Sequence, residues 1–245
     1  ASNLQGRTEL NSTLKSISLP NIKIVLTGTG RVGQGSKEIL DYMQIKQVNI
    51  YDFLSLNYDE PVYVQLDVLD YVKKIDGSES TKLDFFKNPS CYKSTFSKFT
   101  EVADVFIAGH FYGKGSPYFF NRKDAKSPNF KIKVVADISC DIDGPVACTI
   151  RPSTIESPIY GYNPQTESEV DFNFPGSIAV MAVDNLPCEL PRDASDGFGE
   201  VFVNKIIPAF FNGDADGILM RSKMTDNGKL TQNFSYLQKF VDDIE

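Results

Sequence analysis

The sequence predicts an α/β fold with a mostly parallel β-sheet and helices on both faces. Three observations carry this prediction. Short, continuously apolar runs recur along the chain, which is typical of strands buried on both faces of a parallel sheet. Segments with apolar residues at helical spacing separate or follow several of these runs. A glycine-rich turn at residues 28–33 joins the first apolar run to the first of these helical segments.

The first elements form a strand–turn–helix–strand unit of the size expected for a βαβ unit. A short lead-in helix is predicted over residues 9–17, and the apolar run at 21–28 is the first strand. The helix follows at 36–43, and a second short strand is predicted at 48–52.

Further apolar runs predict strands at 61–66, 103–109, 131–139 and 176–186, whereas residues 70–100 receive no assignment. One helical face is predicted over 191–211, interrupted by Pro208. A final helix is predicted over 232–244. Strands that alternate with helices favour an α/β fold, whose last part is more helical.

The composition is that of an ordinary globular protein and argues against several functional classes. Of 245 residues, 23% are charged and 41% are hydrophobic, and the formal net charge is -7. An acidic chain is poorly suited to a phosphate backbone, so no nucleic-acid partner is expected. No apolar run is long enough for a membrane span, and the first residues do not read as a signal peptide. We therefore expect a cytoplasmic protein.

No metal site is expected. The four cysteines are scattered without a C-x-x-C pair, and the chain has a single histidine. Reduced thiols in a cytoplasmic protein are the simplest interpretation.

The glycine-rich turn has the G-x-G-x-x-G spacing of a dinucleotide-binding loop. Gly28 permits a tight turn after the strand, Gly30 lets the backbone approach a pyrophosphate, and Gly33 lets helix and strand pack closely. The start of the helix then offers free N–H groups and partial positive charge to the phosphates. Arg31 and Val32 complete the predicted loop contacts, although Arg31 is equally suited to a solvated position on the helix.

Asp52 is predicted to end the second strand and to accept hydrogen bonds from the adenosine ribose hydroxyls. Because a 2′-phosphate would be repelled there, NAD is favoured over NADP. The predicted fold is thus Rossmann-like and doubly wound. A lead-in helix or linker spans 1–20, the NAD-binding domain spans 21–187, and a helical segment of a substrate domain spans 188–245. The alternative is a Rossmann-like domain that binds another nucleotide, or none.

Two further motifs carry a family likeness. A D-x-S-x-D strand end is formed by Asp137, Ser139 and Asp141, and a D-x-L-P-x-x-L-P-R-x-A-S segment spans 184–195. With the G-R-x-G of the loop, they resemble the alanine dehydrogenase/saccharopine dehydrogenase superfamily. The closer likeness is to the branch of lysine-forming saccharopine dehydrogenase and lysine–ketoglutarate reductase. It covers roughly residues 20–240.

The resemblance implies an NAD(P)-dependent oxidoreductase that transfers a hydride at the carbon–nitrogen bond linking lysine and 2-oxoglutarate. Its small-molecule partners would be an amino acid and a 2-oxo acid. By position, Asp141 would face the nicotinamide or the substrate amine. Asp184, Asn185 and Leu186 would border the nicotinamide ribose.

Such enzymes have a substantial N-terminal domain, which in the saccharopine branch is expected to provide a lysine and histidine acid–base pair. Here the glycine loop begins at residue 28. We therefore expect this chain to be the C-terminal, nucleotide-binding part of a longer protein and an incomplete catalytic unit alone. The missing domain is then a partner, and apolar residues of the last helices are candidates for a homodimer contact.

His110 and Asp141 are the candidate catalytic residues within the chain. His110 follows a predicted strand, where a histidine can serve as general acid or base, or can simply line the cofactor cleft. Gly109 leaves space for the nicotinamide-side ribose. Asp137 and Asp141 could form a carboxylate pair with one raised pKa. Two other functions stay open: an alanine dehydrogenase-like enzyme and a non-catalytic dinucleotide-binding or sensing module.

Overall fold

The computed structural model describes residue 1 and residues 3–243, so the predicted end of the last helix at residue 244 lies outside the described residues. The chain divides into two compact units, Ala1–Glu189 and Leu190–Glu245. The assignment of nucleotide binding to residues 21–187 and of substrate binding to 188–245 stays a prediction.

The strands are short and are named here in chain order. They are β1 Lys23–Thr27, β2 Lys46–Gln47, β3 Val62–Leu66, β4 Val72–Lys74, β5 Tyr92–Ser94, β6 Val105–Ala108, β7 Val134–Asp137, β8 Ile159–Asn163, β9 Ser168–Val170, β10 Ile178–Met181, β11 Thr225–Asp226 and β12 Lys229–Leu230.

The helices are named in the same way. They are α1 Arg7–Leu14, α2 Arg31–Tyr42, α3 Ile50–Ser55, α4 Val68–Tyr71, α5 Lys82–Lys87, α6 Ser97–Thr100, α7 Arg122–Ala125, α8 Pro191–Val201, α9 Ile207–Ala209, α10 Ile218–Ser222 and α11 Gln238–Asp242. Short 3₁₀ turns lie at Pro89–Cys91, Leu186–Glu189 and Gln232–Leu237, and a π-helical turn lies at Phe202–Ile206. Within the described residues, no helix is long and apolar enough to cross a membrane.

The larger unit is built on an eight-stranded sheet with the order β2-β3-β1-β6-β7-β10-β8-β9. The pairs from β2 through β10 are parallel, whereas β8 pairs antiparallel with β10 and with β9. Strand β1 lies between β3 and β6, so the strands that follow β1 in the chain are added first on one side of it and then on the other. This reversal confirms the predicted α/β, Rossmann-like fold.

Both faces of the sheet are covered by apolar side chains, which explains why its central strands read as continuous apolar runs. In β1, Val25 joins the larger core, while Ile24 and Leu26 pack on the opposite face with Leu40 of α2. The larger core is rich in aromatic rings: Phe96 lies 4.9 Å from Phe106 between ring centroids. Since both faces are buried, the sheet presents its ends, rather than a face, to ligands.

The strand predicted at 48–52 is wrong. Only Lys46–Gln47 pair with β3, and residues 50–55 form α3. The reason is local, because Asn49 caps this helix: its side chain accepts a hydrogen bond of 2.9 Å from the Asp52 N–H and donates one of 2.7 Å to the Asp52 carboxylate. At helical spacing Phe53 then becomes completely buried. Asp52 therefore lies in the first turn of a helix and does not end a strand.

Three glycines pack backbone against backbone where β1, β6 and α2 meet. Gly28 has a φ of 97°, and a side chain there would collide with the carbonyl of Gly109. A side chain on Gly33 would collide with the Gly28 carbonyl. The chain holds this contact by hydrogen bonds from Gly28 N–H to the Leu66 carbonyl, 2.9 Å, and from Gly109 N–H to the Thr27 carbonyl, 3.1 Å. The loop is thus fixed by its fold before any ligand is considered.

The sequence interpretation missed two antiparallel hairpins. One joins β8 to β9 at the edge of the large sheet. The other joins β11 to β12 in the smaller unit, through Asn227 and Gly228, which both have positive φ. An Asn-Gly pair of this kind is the usual sequence signal of a two-residue hairpin.

Pro208 interrupts the long helix predicted in the smaller unit. The α-helix ends at Val201 and a π-helical turn follows, in which the Ile207 N–H donates to the Phe202 carbonyl. A proline has no N–H to donate, and a widened turn before it is one way for the backbone to compensate.

Candidate functional site

A cavity of about 510 Å³ lies at the carboxyl ends of β1, β3 and β6. In open α/β sheets, ligands bind in this crevice, at the point where the strand order reverses. The lining residues come from the loops after these strands and from the helices that follow: Gly28, Thr29, Gly30, Arg31, Val32, Asp67, Val68, Tyr71, Lys82, Phe86, Gly109, His110 and Phe111. Of the predicted cofactor-binding residues, Gly28, Gly30, Arg31, Val32 and Gly109 line this cavity together with His110, whereas Gly33 packs against Gly28 and is not among the lining residues.

The N-terminus of α2 opens into this cavity without a competing side chain. Its N-cap is Gly30, which makes no side-chain cap, and its first turn has no acidic residue. The first helical hydrogen bond, 2.9 Å, runs from Gln34 N–H to the Gly30 carbonyl, so the preceding amides have no intrahelical partner. Apart from the neighbouring residues in the chain, no atom of the described residues lies within 4 Å of the place that a side chain on Gly30 would occupy. The arrangement suits a negatively charged group.

Asp67 is the carboxylate that the structure places beside the loop. It directly follows β3, the strand next to β1, and caps α4. One of its oxygens accepts hydrogen bonds of 2.7 Å from the hydroxyl of Thr29 and 2.7 Å from the ammonium of Lys82. Burial alone would raise the pKa of Asp67, but these two donors hold it below its usual value. The carboxylate is therefore ionised and oriented at neutral pH.

Asp52 does not reach this cavity. It is in α3, engaged with Asn49, and is not among the lining residues. The prediction that Asp52 binds the ribose required a strand at 48–52, and these residues do not form one. The signal that finds Asp67 is its position immediately after the apolar run of β3, but strand order is needed to recognise that β3 is the neighbour of β1.

His110 is 8% exposed and packs its ring 4.1 Å from that of Phe119, measured between centroids. Its Nδ1 lies 3.0 Å from the hydroxyl of Thr27 at the end of β1. Burial lowers the pKa of His110 to about 3, so the ring is neutral at physiological pH. A neutral imidazole with so low a pKa is poorly matched to acid–base work near pH 7.

Asp137 is completely buried at the end of β7 and has a full set of hydrogen-bond donors. One oxygen accepts from the hydroxyl and N–H of Ser139, at 2.6 and 3.1 Å, and from the N–H of Cys140, at 3.2 Å. The other oxygen accepts from the hydroxyl of Thr149, at 2.6 Å. The carboxylate organises the loop that follows β7.

That loop presents Asp141 at the same edge of the sheet, after the strand next to β6. Burial, followed by the charge of Asp137, raises the pKa of Asp141. Cys140 donates its thiol to the Ala182 carbonyl at 3.1 Å, and burial and nearby carboxylates, including Asp184, raise its pKa. These shifts favour the protonated thiol, which is the less reactive form.

Asp184, Asn185 and Leu186 follow β10, the strand on the far side of β7. The first two are exposed and the third is partly buried. None of the three is among the residues that line the 510 Å³ cavity. The structure therefore places them with Asp141 at the same sheet edge, but not with the glycine loop.

Comparison with known proteins gives several relatives at low identity. No protein-family model matches the chain. It is 27% identical to alpha-aminoadipic semialdehyde synthase of Arabidopsis thaliana, over 88% of this chain and 22% of that protein. It is 25% identical to the mitochondrial alpha-aminoadipic semialdehyde synthase of Mus musculus, over 94% of this chain and 28% of that protein. It is 30% identical to saccharopine dehydrogenase [NAD(+), L-lysine-forming] of Schizosaccharomyces pombe, over 44% of this chain and 29% of that protein.

The chain is thus similar, at low identity, to alpha-aminoadipic semialdehyde synthases and to a lysine-forming saccharopine dehydrogenase. The likeness inferred from the loop, the D-x-S-x-D strand end and the segment 184–195 is thereby confirmed, at low identity. The chain spans less than a third of the length of each of these three relatives.

The first and last carboxylates of the D-x-S-x-D strand end, Asp137 and Asp141, have different surroundings, so replacing each by alanine is expected to have different effects on stability. Asp137→Ala leaves four donors around a buried position without their acceptor, so we expect the free energy of unfolding to fall by about 3 kcal/mol or more. Urea unfolding followed by circular dichroism measures this loss.

Asp141→Ala is the matched control. Because the pKa of Asp141 is raised in the folded state, its contribution to stability is present at low pH and is lost as pH rises through that pKa. Its removal at pH 7 should leave the free energy of unfolding unchanged or slightly higher. Equal losses for the two variants would show that Asp137 has no special structural role.

Proposed function

We propose that this chain is the dinucleotide-binding portion of an NAD-dependent oxidoreductase of saccharopine dehydrogenase type. The observation that carries the proposal is the uncapped N-terminus of α2, which faces a cavity beside a fixed glycine loop and an ionised carboxylate. In this proposal the start of α2 would hold the pyrophosphate and the carboxylate would hold the adenosine ribose.

The residues present fit the pyrophosphate of such a cofactor. The free amides at the start of α2 supply donors and partial positive charge. Gly30 leaves open space at the helix entrance, where a larger residue would project. Arg31, on the same turn and lining the same cavity, adds a positive charge. The pyrophosphate would therefore lie across Gly30 at the helix N-terminus.

Asp67, rather than Asp52, would receive the adenosine ribose. It stands at the carboxyl end of the strand beside β1, where a carboxylate accepts hydrogen bonds from ribose hydroxyls. A 2′-phosphate would meet this charge, which favours NAD over NADP. Lys82 on the same carboxylate offsets part of that repulsion. The name of the Schizosaccharomyces pombe relative, which specifies NAD(+), supports the same preference.

The reaction proposed for the whole enzyme is hydride transfer at the carbon–nitrogen bond that links lysine and 2-oxoglutarate. The nicotinamide ring supplies the hydride acceptor or donor. In this proposal the described residues bind and orient the dinucleotide, and Asp141 lies toward the substrate side. Neutral, buried His110 is not assigned proton transfer, so the main acid–base groups are expected outside this chain.

Alanine variants of Asp67 and Asp52 test which of the two carboxylates binds the adenosine ribose. Asp67→Ala should raise the dissociation constant of NADH by about tenfold or more, since a hydrogen bond to a charged group contributes roughly 1.5–3 kcal/mol. Asp52→Ala should leave it within about twofold. Isothermal titration calorimetry measures both variants, and the unaltered chain with NADH and with NADPH.

The opposite ranking of the two aspartates would restore Asp52 to the ribose site. Absence of heat with either cofactor in the unaltered chain would contradict the proposed function itself.

Replacing individual glycines of the loop by alanine is expected to affect NADH affinity at one position and the free energy of unfolding at another. Gly30→Ala meets no protein atom, so the free energy of unfolding should change by no more than about 1 kcal/mol, yet NADH affinity should fall because the methyl group occupies the pyrophosphate position. Gly33→Ala collides with the Gly28 carbonyl and should lower the free energy of unfolding by about 1–3 kcal/mol or more.

Gly35→Ala, within α2 and in open space, serves as control and should affect neither binding nor folding adversely. Thermal unfolding and NADH titration of the three variants give both quantities. Unchanged NADH affinity in well-folded Gly30→Ala would contradict the pyrophosphate assignment.

A further inference from the structure

His110 has one ring nitrogen with a partner and one without. The Nδ1 atom is 3.0 Å from the Thr27 hydroxyl, and the Phe119 ring packs against the imidazole. The Nε2 atom is buried and has no hydrogen-bond partner among the described residues. A buried polar atom without a partner is uncommon and calls for a specific explanation.

The Thr27 hydroxyl can donate to Nδ1 or accept from it, and we assign the direction from the distances of this hydroxyl to its two neighbours. This hydroxyl lies 3.5 Å from the Ile107 carbonyl, at the limit of a hydrogen bond, and clearly closer to Nδ1. Donation to Nδ1 leaves the proton of the neutral ring on Nε2. The unpartnered atom is then an N–H donor, which needs an acceptor to offset its burial.

The position of His110 indicates that this acceptor belongs to a ligand in the cavity. His110 lines the same cavity as Gly28, Gly30 and Asp67. The backbone of His110 also packs against the loop, since the Cβ of a side chain on Gly28 would lie 3.1 Å from the backbone nitrogen of His110. A dinucleotide bound at the start of α2 would therefore lie beside His110, and its sugar and phosphate oxygens would be the acceptors nearest to this residue.

We propose that His110 is a cofactor-binding residue whose Nε2–H donates a hydrogen bond to a ribose or phosphate oxygen of the bound dinucleotide. The inference rests on the proposed function and assigns His110 a binding role in place of acid–base chemistry. The burial that holds the ring neutral also keeps the donor unchanged across physiological pH.

The chain has only one histidine, so its ring nitrogens give unambiguous signals in ¹H–¹⁵N NMR spectra of the full chain. Without ligand, the spectrum should show the neutral Nε2–H form and no titration between about pH 5.5 and 8.5. Saturation with NADH should shift the Nε2 signal and slow exchange of its proton with water. A merely structural histidine would give the first result without the second.

A ring that titrates near its ordinary pKa, or a proton found on Nδ1, would overturn the inference. An Nε2 signal that is unmoved while calorimetry shows NADH bound would overturn it as well, yet leave the proposed function standing. If calorimetry shows no NADH binding, both fail.

His110→Phe provides a second test, since it keeps an aromatic ring against Phe119 and removes both nitrogens. We expect its NADH dissociation constant to rise about five- to tenfold, with the value for the unaltered chain constant over the same pH range. Tyr112→Phe, which changes a neighbouring aromatic residue outside the cavity lining, should leave binding unchanged. Equal affinities of His110→Phe and the unaltered chain would contradict the proposal.

Discussion

The contact of three glycine backbones is the constraint on which the site depends. Gly28, Gly33 and Gly109 bring the ends of β1 and β6 against the start of α2, so closely that a side chain on Gly28 or Gly33 would collide with backbone atoms and one on Gly109 would be tightly confined. This contact aims the free N–H groups of α2 at the crevice and places His110 and Asp67 on either side of it. The loop is therefore a consequence of close packing between elements, and its capacity for a phosphate group follows from that packing.

The buried centre of the sheet could be predicted from the sequence because burial on both faces requires continuous apolar runs. This applies to β1, β3, β6, β7 and β10, which were all predicted near their true positions. The outer strands of the sheet are harder to predict from the sequence. Strand β2 is two residues long, and β9 exposes polar side chains, so neither leaves a clear pattern. The hairpin of the smaller unit, by contrast, has a recognisable local signal in its Asn-Gly pair.

The sequence predicts Asp52 as the carboxylate of the site, whereas the structure places Asp67 there, and the difference shows which information the sequence lacks. A carboxylate after the second apolar segment is a sound expectation for a simple βαβ unit. Here Asn49 starts a helix at that point, and the strand beside β1 comes later in the chain. Strand order depends on tertiary packing, which no spacing within 48–52 can reveal. The same applies to His110, because its missing partner is visible only once Thr27 and Phe119 surround the ring.

Amide hydrogen exchange with and without saturating NAD tests the dinucleotide site most directly. Among the described residues, the amides at the start of α2 have no hydrogen-bond partner, so a pyrophosphate bound to them must slow their exchange. We expect slower exchange in segments 28–34 and 67–71, and no change at the start of α3, which Asn49 already caps. Protection of residues 50–55 without protection of residues 28–34, or no protection anywhere, would contradict a dinucleotide site at the glycine loop.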